Sequence, residues 1–568
     1  MSSPPSGFSP TDEQKNILKK AKTGKHLIVE ALAGTGKTST MLYLLNDGNG
    51  IGREGIYFVY NKEMQRDAER KGFTIPCSTV HGFSYRRVVG DFRGALFRRT
   101  EIANAGIPGT MISGVLGIPA ISVFERTISG PRLASFALST VSKFCYSADE
   151  SLSEDHVVLG DYPSLCRGLA EKEEMAIRES EAAGKASEVR LRKETVKSLW
   201  NSLGRLRSHV LDVSRDLWRE FNGGHSRLPI PHDVYLKRFV DGVRDGTYDL
   251  PKVRYIILDE AQDSNGITYE LAKCFMKKNT QIIVVGDEYQ QLYEWRGASD
   301  IMRKIRKDVP DIQTATLSQS WRFGEKVADV VNGFMRAYMD PDFNIRGNPS
   351  VNSQIGFTPM PTGIVTRTNA GVMAALFEEI QKGRIAYIPK GESFSRSIAD
   401  IELLKCGRAP RTPEFQIFSN YDELIEFSEL DEGRQIKMIL KVIDEYGSET
   451  LMRSLQTAGS HKDDHDVLIN TTHGWKGLES PSVVLRDDFP QGDKLKHSRE
   501  EIRLAYVAMT RSKNRLDPGD HPDIVPFMNA ESRSDIEFYG KKKETDHERD
   551  PARAKSKKSK ASRHGCDP

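Results

Sequence analysis

Residues 26–41 read His-Leu-Ile-Val-Glu-Ala-Leu-Ala-Gly-Thr-Gly-Lys-Thr-Ser-Thr-Met. Leu27, Ile28 and Val29 make the short apolar run that fills a buried parallel strand. Small residues follow at once (Ala31, Ala33, Gly34, Thr35 and Gly36), and then Lys37 and Thr38. A loop of this kind wraps its backbone N–H groups around phosphate oxygens, because no bulky side chain holds the anion off. The helix expected from Lys37 onward aims its positive end at the same place. In such a cradle the lysine reaches the β- and γ-phosphates and the hydroxyl of Thr38 ligates Mg²⁺. Ala31 stands where the strict pattern has glycine, and a glycine-rich turn with an incidental lysine would use the same residues. The loop alone leaves both readings open; the rest of the chain weighs between them.

At 568 residues the chain exceeds what one hydrophobic core supports, so several domain-sized units are expected. A hydrophobic fraction of 38% is enough for packed cores, and no run approaches the roughly 18 apolar residues of a membrane span. The first residues, Met-Ser-Ser-Pro-Pro-Ser-Gly, have neither the basic nor the apolar region of a secretory signal. Six cysteines (77, 145, 166, 274, 406 and 566) lack paired spacing, which fits neither a zinc site nor a disulfide framework. An intracellular, reducing compartment is expected, either a nucleus or a bacterial cytoplasm. The net charge of +3 hides an asymmetry: residues 541–568 hold ten Lys and Arg against five Asp and Glu. The body is therefore close to neutral, and any nucleic-acid surface on it must be a local stripe.

Apolar runs alternating with helical segments argue for an α/β fold with parallel sheets. Thr11 is expected to cap a helix over 12–18, and strands are expected at 55–60, near 77–81, at 255–258 and at 281–285. The first unit would comprise residues 8–91 and 251–310, interrupted by a charged helical insertion over 92–250. A second α/β unit is expected over 311–375 and 461–530, with strands at 364–366, 467–469 and 483–485. A small, mainly helical insertion would occupy 376–460. Residues 531–568 are polar and basic and are expected to form a solvated, disordered tail; DNA binding or a nuclear localisation sequence is the alternative use of its lysines.

Asp259 and Glu260 follow an apolar strand, where a buried parallel sheet delivers carboxylates to its C-terminal edge. Triphosphate hydrolysis needs one carboxylate to hold Mg²⁺ and one to activate water; Asp259 suits the first task and Glu260 the second. An acidic turn ending a strand is common, so the pair gains its meaning from the phosphate loop. Gln290 stands where a γ-phosphate sensor would. Tyr293 and Trp295 offer flat faces for unpaired bases, stacking worth about 1–3 kcal/mol per base, or else serve as core aromatics. Arg322 and Arg511 are the cations expected to enter the cradle from the second unit, where charge develops on the transferred phosphoryl group.

Taken in order, these stretches resemble the superfamily-one helicases of the UvrD/Rep group. The series comprises Phe-Ser-Pro-Thr-Asp-Glu-Gln14, Ala-Gly-Thr-Gly-Lys-Thr38, Asp-Glu-Ala-Gln-Asp263, Gly-Asp-Glu-Tyr-Gln290, Ser-Trp-Arg-Phe323, Thr-Arg-Thr-Asn369, Thr-Thr-His-Gly-Trp-Lys-Gly-Leu-Glu479 and Tyr-Val-Ala-Met-Thr-Arg511. Within that group the chain most resembles the helicase part of the F-box DNA helicases, through Val-Tyr-Asn-Lys62, the stretch 147–156, His-Asp-Val-Tyr-Leu-Lys237 and Ser-Gln-Ser-Trp-Arg-Phe-Gly324; no F-box is seen ahead of Gln14. The resemblance implies two RecA-like P-loop domains and an ATP- and Mg²⁺-dependent motor moving 3′ to 5′ on single-stranded or partly duplex DNA. It also implies that Gln14 reads adenine, that residues 33–38 hold the phosphates, and that Glu479 sits by the sugar or couples the site to DNA. Tyr60, Thr79, His81, Tyr293, Trp295, Thr471 and His473 fall in the DNA-contacting motifs of the group. Departures are Ser480 in place of an aromatic and Trp475 in place of a small residue. Pro518-Gly519 comes soon enough after Arg511 to predict a shortened last strand. Two alternatives are a remodeller that strips recombinase filaments from DNA with little unwinding, and a nucleic-acid-binding regulator switched by ATP.

Overall fold

The computed structural model describes residues 9–45, 50–89, 107–123, 126–160, 162–223, 226–292, 301–389, 391–412, 415, 418, 420–428, 434–529 and 533. Tyr293, Trp295 and, apart from Arg533, the basic tail lie outside the described residues.

Fourteen strands are described. In chain order they are β1 (Leu27–Ala31), β2 (Gly55–Val59), β3 (Cys77–Thr79), β4 (Ile121–Val123), β5 (Arg126–Ile128), β6 (Tyr255–Leu258) and β7 (Gln281–Gly286). The rest are β8 (Gln313–Leu317), β9 (Gln354–Ile355), β10 (Gly363–Thr366), β11 (Ala386–Tyr387), β12 (Val467–Thr471), β13 (Ser480–Leu485) and β14 (Ser512–Asp517). Twelve of them make two six-stranded sheets, ordered β3-β2-β6-β7-β1-β8 and β11-β12-β10-β13-β14-β9, and every pairing in both is parallel. The runs Leu27-Ile28-Val29, Tyr255 to Leu258 and Ile282 to Val285 are buried throughout, because helices cover both faces of the first sheet. Parallel strands all end on the same edge, so their C-terminal loops gather there, and this is what brings the residues of the site together.

Among the described residues, the insertion between β3 and β6 is helical apart from the antiparallel pair β4–β5. Its longest helix, Ala186–Asn222, lies along Tyr162–Ala182. The stretch 147–156 and the helix His232–Arg244 lock together inside it. Buried His156 bonds Asp149 at 2.9 Å and Ser147 at 3.2 Å, and the buried Lys237 ammonium reaches the carbonyl of Asp149 and, at 3.2 Å, the carboxylate of Asp241.

Three expectations are corrected. Strand β8, placed in the second unit by the reading of 311–375, pairs with β1 from Leu27↔Gln313 to Ala31↔Leu317 and closes the first sheet. Its Gln-Thr-Ala-Thr-Leu alternates buried and exposed positions as an edge strand does, so no apolar run announces it. Ala386–Tyr387, assigned to the second insertion, pairs with β12 and forms an edge of the second sheet; two residues are too few to show periodicity. The last strand is not shortened: Ser512–Asp517 runs six residues before Pro518 ends it. All described strands of the first sheet precede Ser318 and all those of the second follow Gly324. One segment, 318–324, therefore carries the chain from one unit to the other.

Candidate active site

A cleft of about 650 Å³ lies between the C-terminal edge of the first sheet and the loops 476–479 and 510–511 of the second. Gly34 and Gly36, at φ +72° and +79°, turn the loop after β1 through the left-handed region that costs other residues about 1–2 kcal/mol. The helix Lys37–Leu44 then starts with no side-chain cap and no acidic residue in its first turn, which leaves its N–H groups to an anion. Lys37 Nζ reaches into the cleft and pairs with Glu260 Oε1 at 2.8 Å.

Asp259 and Glu260 sit just beyond β6. Glu260 takes a left-handed backbone, φ +49°, and its N–H donates to Asp259 Oδ1 at 2.9 Å. The hydroxyl of Tyr57, on neighbouring β2, donates to Asp259 Oδ2, and the Gln262 amide donates to Glu260 Oε2. Gln290 follows β7; its amide donates to Asp287 Oδ2 at 2.7 Å while its oxygen accepts from Arg511 Nη2 at 3.2 Å. The second sheet thus reaches across the seam through Arg511, which is fully buried. Lys476, on the same side, bonds the carbonyl of Gln290 at 2.9 Å and the carboxylate of Asp263. Tyr506 joins the two units again, donating to Asp287 Oδ2 at 3.0 Å and accepting from the Ala33 N–H at 3.1 Å.

Arg322 differs from Arg511 in what carries it. It lies on the crossing segment, where Trp321 N–H donates to the carbonyl of Gly34 at 2.8 Å. A Cβ on Gly34 would come within 2.7 Å of both Arg322 Cβ and Ser320 Oγ. The guanidinium then bridges to the second unit, donating to Glu479 Oε2 at 2.9 Å and to the carbonyl of Thr510 at 2.8 Å. Lys513 holds the other Glu479 oxygen at 2.6 Å. The half-exposed indole of Trp321 stands beside Gly36 at the mouth of the loop.

The electrostatics suit a polyanion. Burial pushes the Asp259 carboxyl up to about 6, with the charge of Glu260 adding to it. Burial also works against Glu260, yet Lys37 and Lys476 carry it below the ordinary carboxylate range. For Lys37 burial opposes the charge, but Glu260, Asp259 and Asp287 outweigh it and hold the ammonium above the ordinary lysine value. Arg511 is driven down to about 9, first by burial and then by the nearby charge of Arg322. Two cations held close together, one of them dehydrated, are relieved by an anion between them.

Lys37, Thr38, Asp259, Glu260, Gln290, Arg322, Glu479 and Arg511 therefore line one cleft, with Gly34, Thr35 and Gly36. Gln14 and Ala33 are not among the residues lining it. Gln14 is the reciprocal partner of Thr11 in a capping box and donates to Thr40 Oγ1 at 3.0 Å behind the loop. Tyr60 is exposed at the end of β2 and lines the cleft's outer wall. Thr79-Val-His81-Gly after β3 and Thr471-Thr-His473-Gly after β12 form matching turns, one on each sheet. In each, the threonine caps a helix by accepting from the glycine N–H, at 3.0 and 3.4 Å. His81 also pairs with Asp233 of the helical insertion at 3.1 Å. Missed on the sequence were Tyr57, Asp263, Asp287, Lys476, Tyr506 and Lys513; Asp263, Asp287, Lys476 and Tyr506 stood inside quoted motifs without a stated task.

Residues 249–310 match the family model described as the UvrD/REP helicase N-terminal domain, and residues 386–517 match the UvrD-like helicase C-terminal domain. The chain is similar to F-box DNA helicase protein 1 of Schizosaccharomyces pombe, with 27% identity over 89% of this chain and 57% of that protein. To F-box DNA helicase 1 of Gallus gallus the identity is 25%, over 89% of this chain and 48% of the relative. The ATP-dependent DNA helicase Rep of Escherichia coli is 34% identical over 82 residues, 14% of this chain and 12% of its own. The chain thus spans about half the length of the F-box relatives it matches. The two matched stretches stand one on each side of the seam, 249–310 with Asp259, Glu260 and Gln290 and 386–517 with Lys476, Glu479 and Arg511, and each is similar to the corresponding domain of the UvrD-like helicases.

Proposed function

We propose that this chain is an ATP-dependent DNA helicase in which hydrolysis at the seam drives movement along single-stranded DNA. The observation that carries the reading is the convergence of Lys37, Arg322, Lys476 and Arg511 with two carboxylates, Asp259 and Glu260, whose surroundings push their pKa values apart, in one cleft walled by both sheets.

Thr38 and Asp259 are hard oxygen donors on the cleft wall beside Lys37, a donor set that suits Mg²⁺. Bound there, the ion would neutralise charge on the phosphate oxygens. Glu260, kept ionised by Lys37 and Lys476, takes a proton from the attacking water. Gln290, held between Asp287 and Arg511, orients that water. The phosphate loop, residues 33–38, binds the triphosphate, and Arg322 and Arg511 stabilise charge on the transferred group. An incoming γ-phosphate competes with Glu260 for Lys37 and with Glu479 for Arg322, so binding rearranges contacts that join the two units. Glu479 thereby couples the site to the second sheet, and Gln14 reads the adenine once freed from Thr40.

Tyr60, Thr79, His81, Thr471 and His473, with Tyr293 and Trp295, are the proposed DNA contacts. Movement from 3′ to 5′ and service in repair, recombination or replication belong to the same proposal, on the strength of the resemblance. A second reading, stripping of recombinase filaments with little unwinding, is favoured by the small size of the insertion between β11 and β12, whose described part is four helices. Displacement of streptavidin from single strands, run beside unwinding of a tailed duplex, separates the two. The primary test is Lys37→Ala: DNA-stimulated ATP hydrolysis is expected to vanish with the fold intact, and normal turnover would refute the site.

A further inference from the structure

Strand β2 reads Gly-Ile-Tyr-Phe-Val and is buried along its whole length. A hydroxyl on such a strand needs a partner, because an unpaired one costs about 1–3 kcal/mol. Tyr57 is 1% exposed, and its ring is stacked on Phe73 with centroids 4.7 Å apart and planes 9° from parallel. That packing fixes where the hydroxyl lies, and it meets Asp259 Oδ2. Oδ1 of the same carboxylate accepts the Glu260 N–H at 2.9 Å. Each oxygen is thus held by one donor, one from the neighbouring strand and one from the following peptide. Both keep a second lone pair, and Asp259 still lines the cleft.

We propose that Tyr57 is a positioning residue for the metal-holding carboxylate: its hydroxyl, committed to Asp259 Oδ2, aims that carboxylate into the cleft whose wall Tyr57 shares. The inference rests on the reading of the seam as a magnesium–ATP site. Partners of this kind, one bond behind a ligand, change metal affinity about 10–100-fold when removed.

The test uses the full chain, Mn²⁺ as a spin probe and a non-hydrolysable ATP analogue. Tyr57→Phe keeps the stacked ring and deletes only the hydroxyl. It is expected to weaken Mn²⁺ binding in the presence of the analogue by about tenfold or more, while analogue binding in EDTA stays within about twofold. Phe73→Leu removes the stack and keeps the hydroxyl; it is expected to lower the melting temperature and to leave Mn²⁺ affinity near the parent value. Equal Mn²⁺ affinity for Tyr57→Phe and the parent would overturn the assignment. So would a loss in Phe73→Leu as large as that in Tyr57→Phe, which would make the effect one of packing. A parent protein that takes up no Mn²⁺ with the analogue would instead overturn the seam reading, and this assignment with it.

Discussion

The contact between Gly34 and the crossing segment can be tested by adding one carbon. At φ +72° alanine pays about 1–2 kcal/mol for the left-handed backbone alone. Its Cβ would also stand 2.7 Å from Arg322 Cβ and Ser320 Oγ. A Cβ is the fixed root of a side chain, so the segment must shift, and overpacking of this kind costs about 1–3 kcal/mol more. Gly24 supplies the control, with φ +75° and nothing within 4 Å of the added carbon. Gly24→Ala therefore carries the backbone cost without the collision. The seam relieves Gly34→Ala by parting, so the extra 1–3 kcal/mol is expected mainly in nucleotide affinity, a loss of about 5- to 150-fold relative to Gly24→Ala. A fluorescent ATP analogue titrated into both variants measures it, with thermal melting alongside. Equal affinities for the two variants would show that Gly34 and Arg322 are not in contact and would refute the seam geometry.

Arg511→Ala is expected to lower kcat for ATP hydrolysis about 10³-fold or more with a smaller effect on KM, read in steady-state assays with saturating single-stranded DNA. Arg511→Lys is not expected to restore it, because one guanidinium meets Gln290, Val507 and Thr510 at once. Asp259 also has a signature in pH. Its folded pKa of about 6 lies above the unfolded carboxyl, so the folded chain holds the extra proton and is favoured at low pH; that advantage is lost as pH rises through 6. Asp259→Asn is accordingly expected to melt higher than the parent at pH 8, by an amount that shrinks toward pH 5, although hydrolysis is abolished. A constant difference across that range would mean that Asp259 does not titrate where its surroundings place it.

Much of this site was legible because parallel sheets write in apolar runs. Leu27 to Val29, Tyr255 to Leu258 and Ile282 to Val285 each lead into residues that line the cleft, so the strand and its cargo are read together. Strand β8 escaped because an edge strand with alternating threonines carries no such run. With it went the placement of Arg322, which looked like a cation arriving from the second unit and in fact follows the last strand of the first. Pairings were illegible for a different reason. Arg322 and Glu479 are 157 positions apart, Tyr57 and Asp259 are 202 apart, and no local pattern encodes a bond of that span. Thr79 and Thr471 were marked for nucleic acid, and one lone pair of each hydroxyl proves to be taken by a helix cap, which leaves the O–H to donate. A motif names a place; the hydrogen bonds decide which of its atoms are free for a ligand.

The crossing segment is where these threads meet. Residues 318–324 are the covalent joint between the sheets, and the same few residues hold Gly34, carry Trp321 beside the loop and present Arg322 to the cleft. On the proposed function, sensor and hinge pin would be one piece of chain, so news of an occupied cleft would have no distance to travel before it reached the axis. Near an axis, motion is small and torque is applied directly. If the seam closes as proposed, Arg322, next to that axis, would move little, while Arg511, borne on the far jaw, would make the excursion.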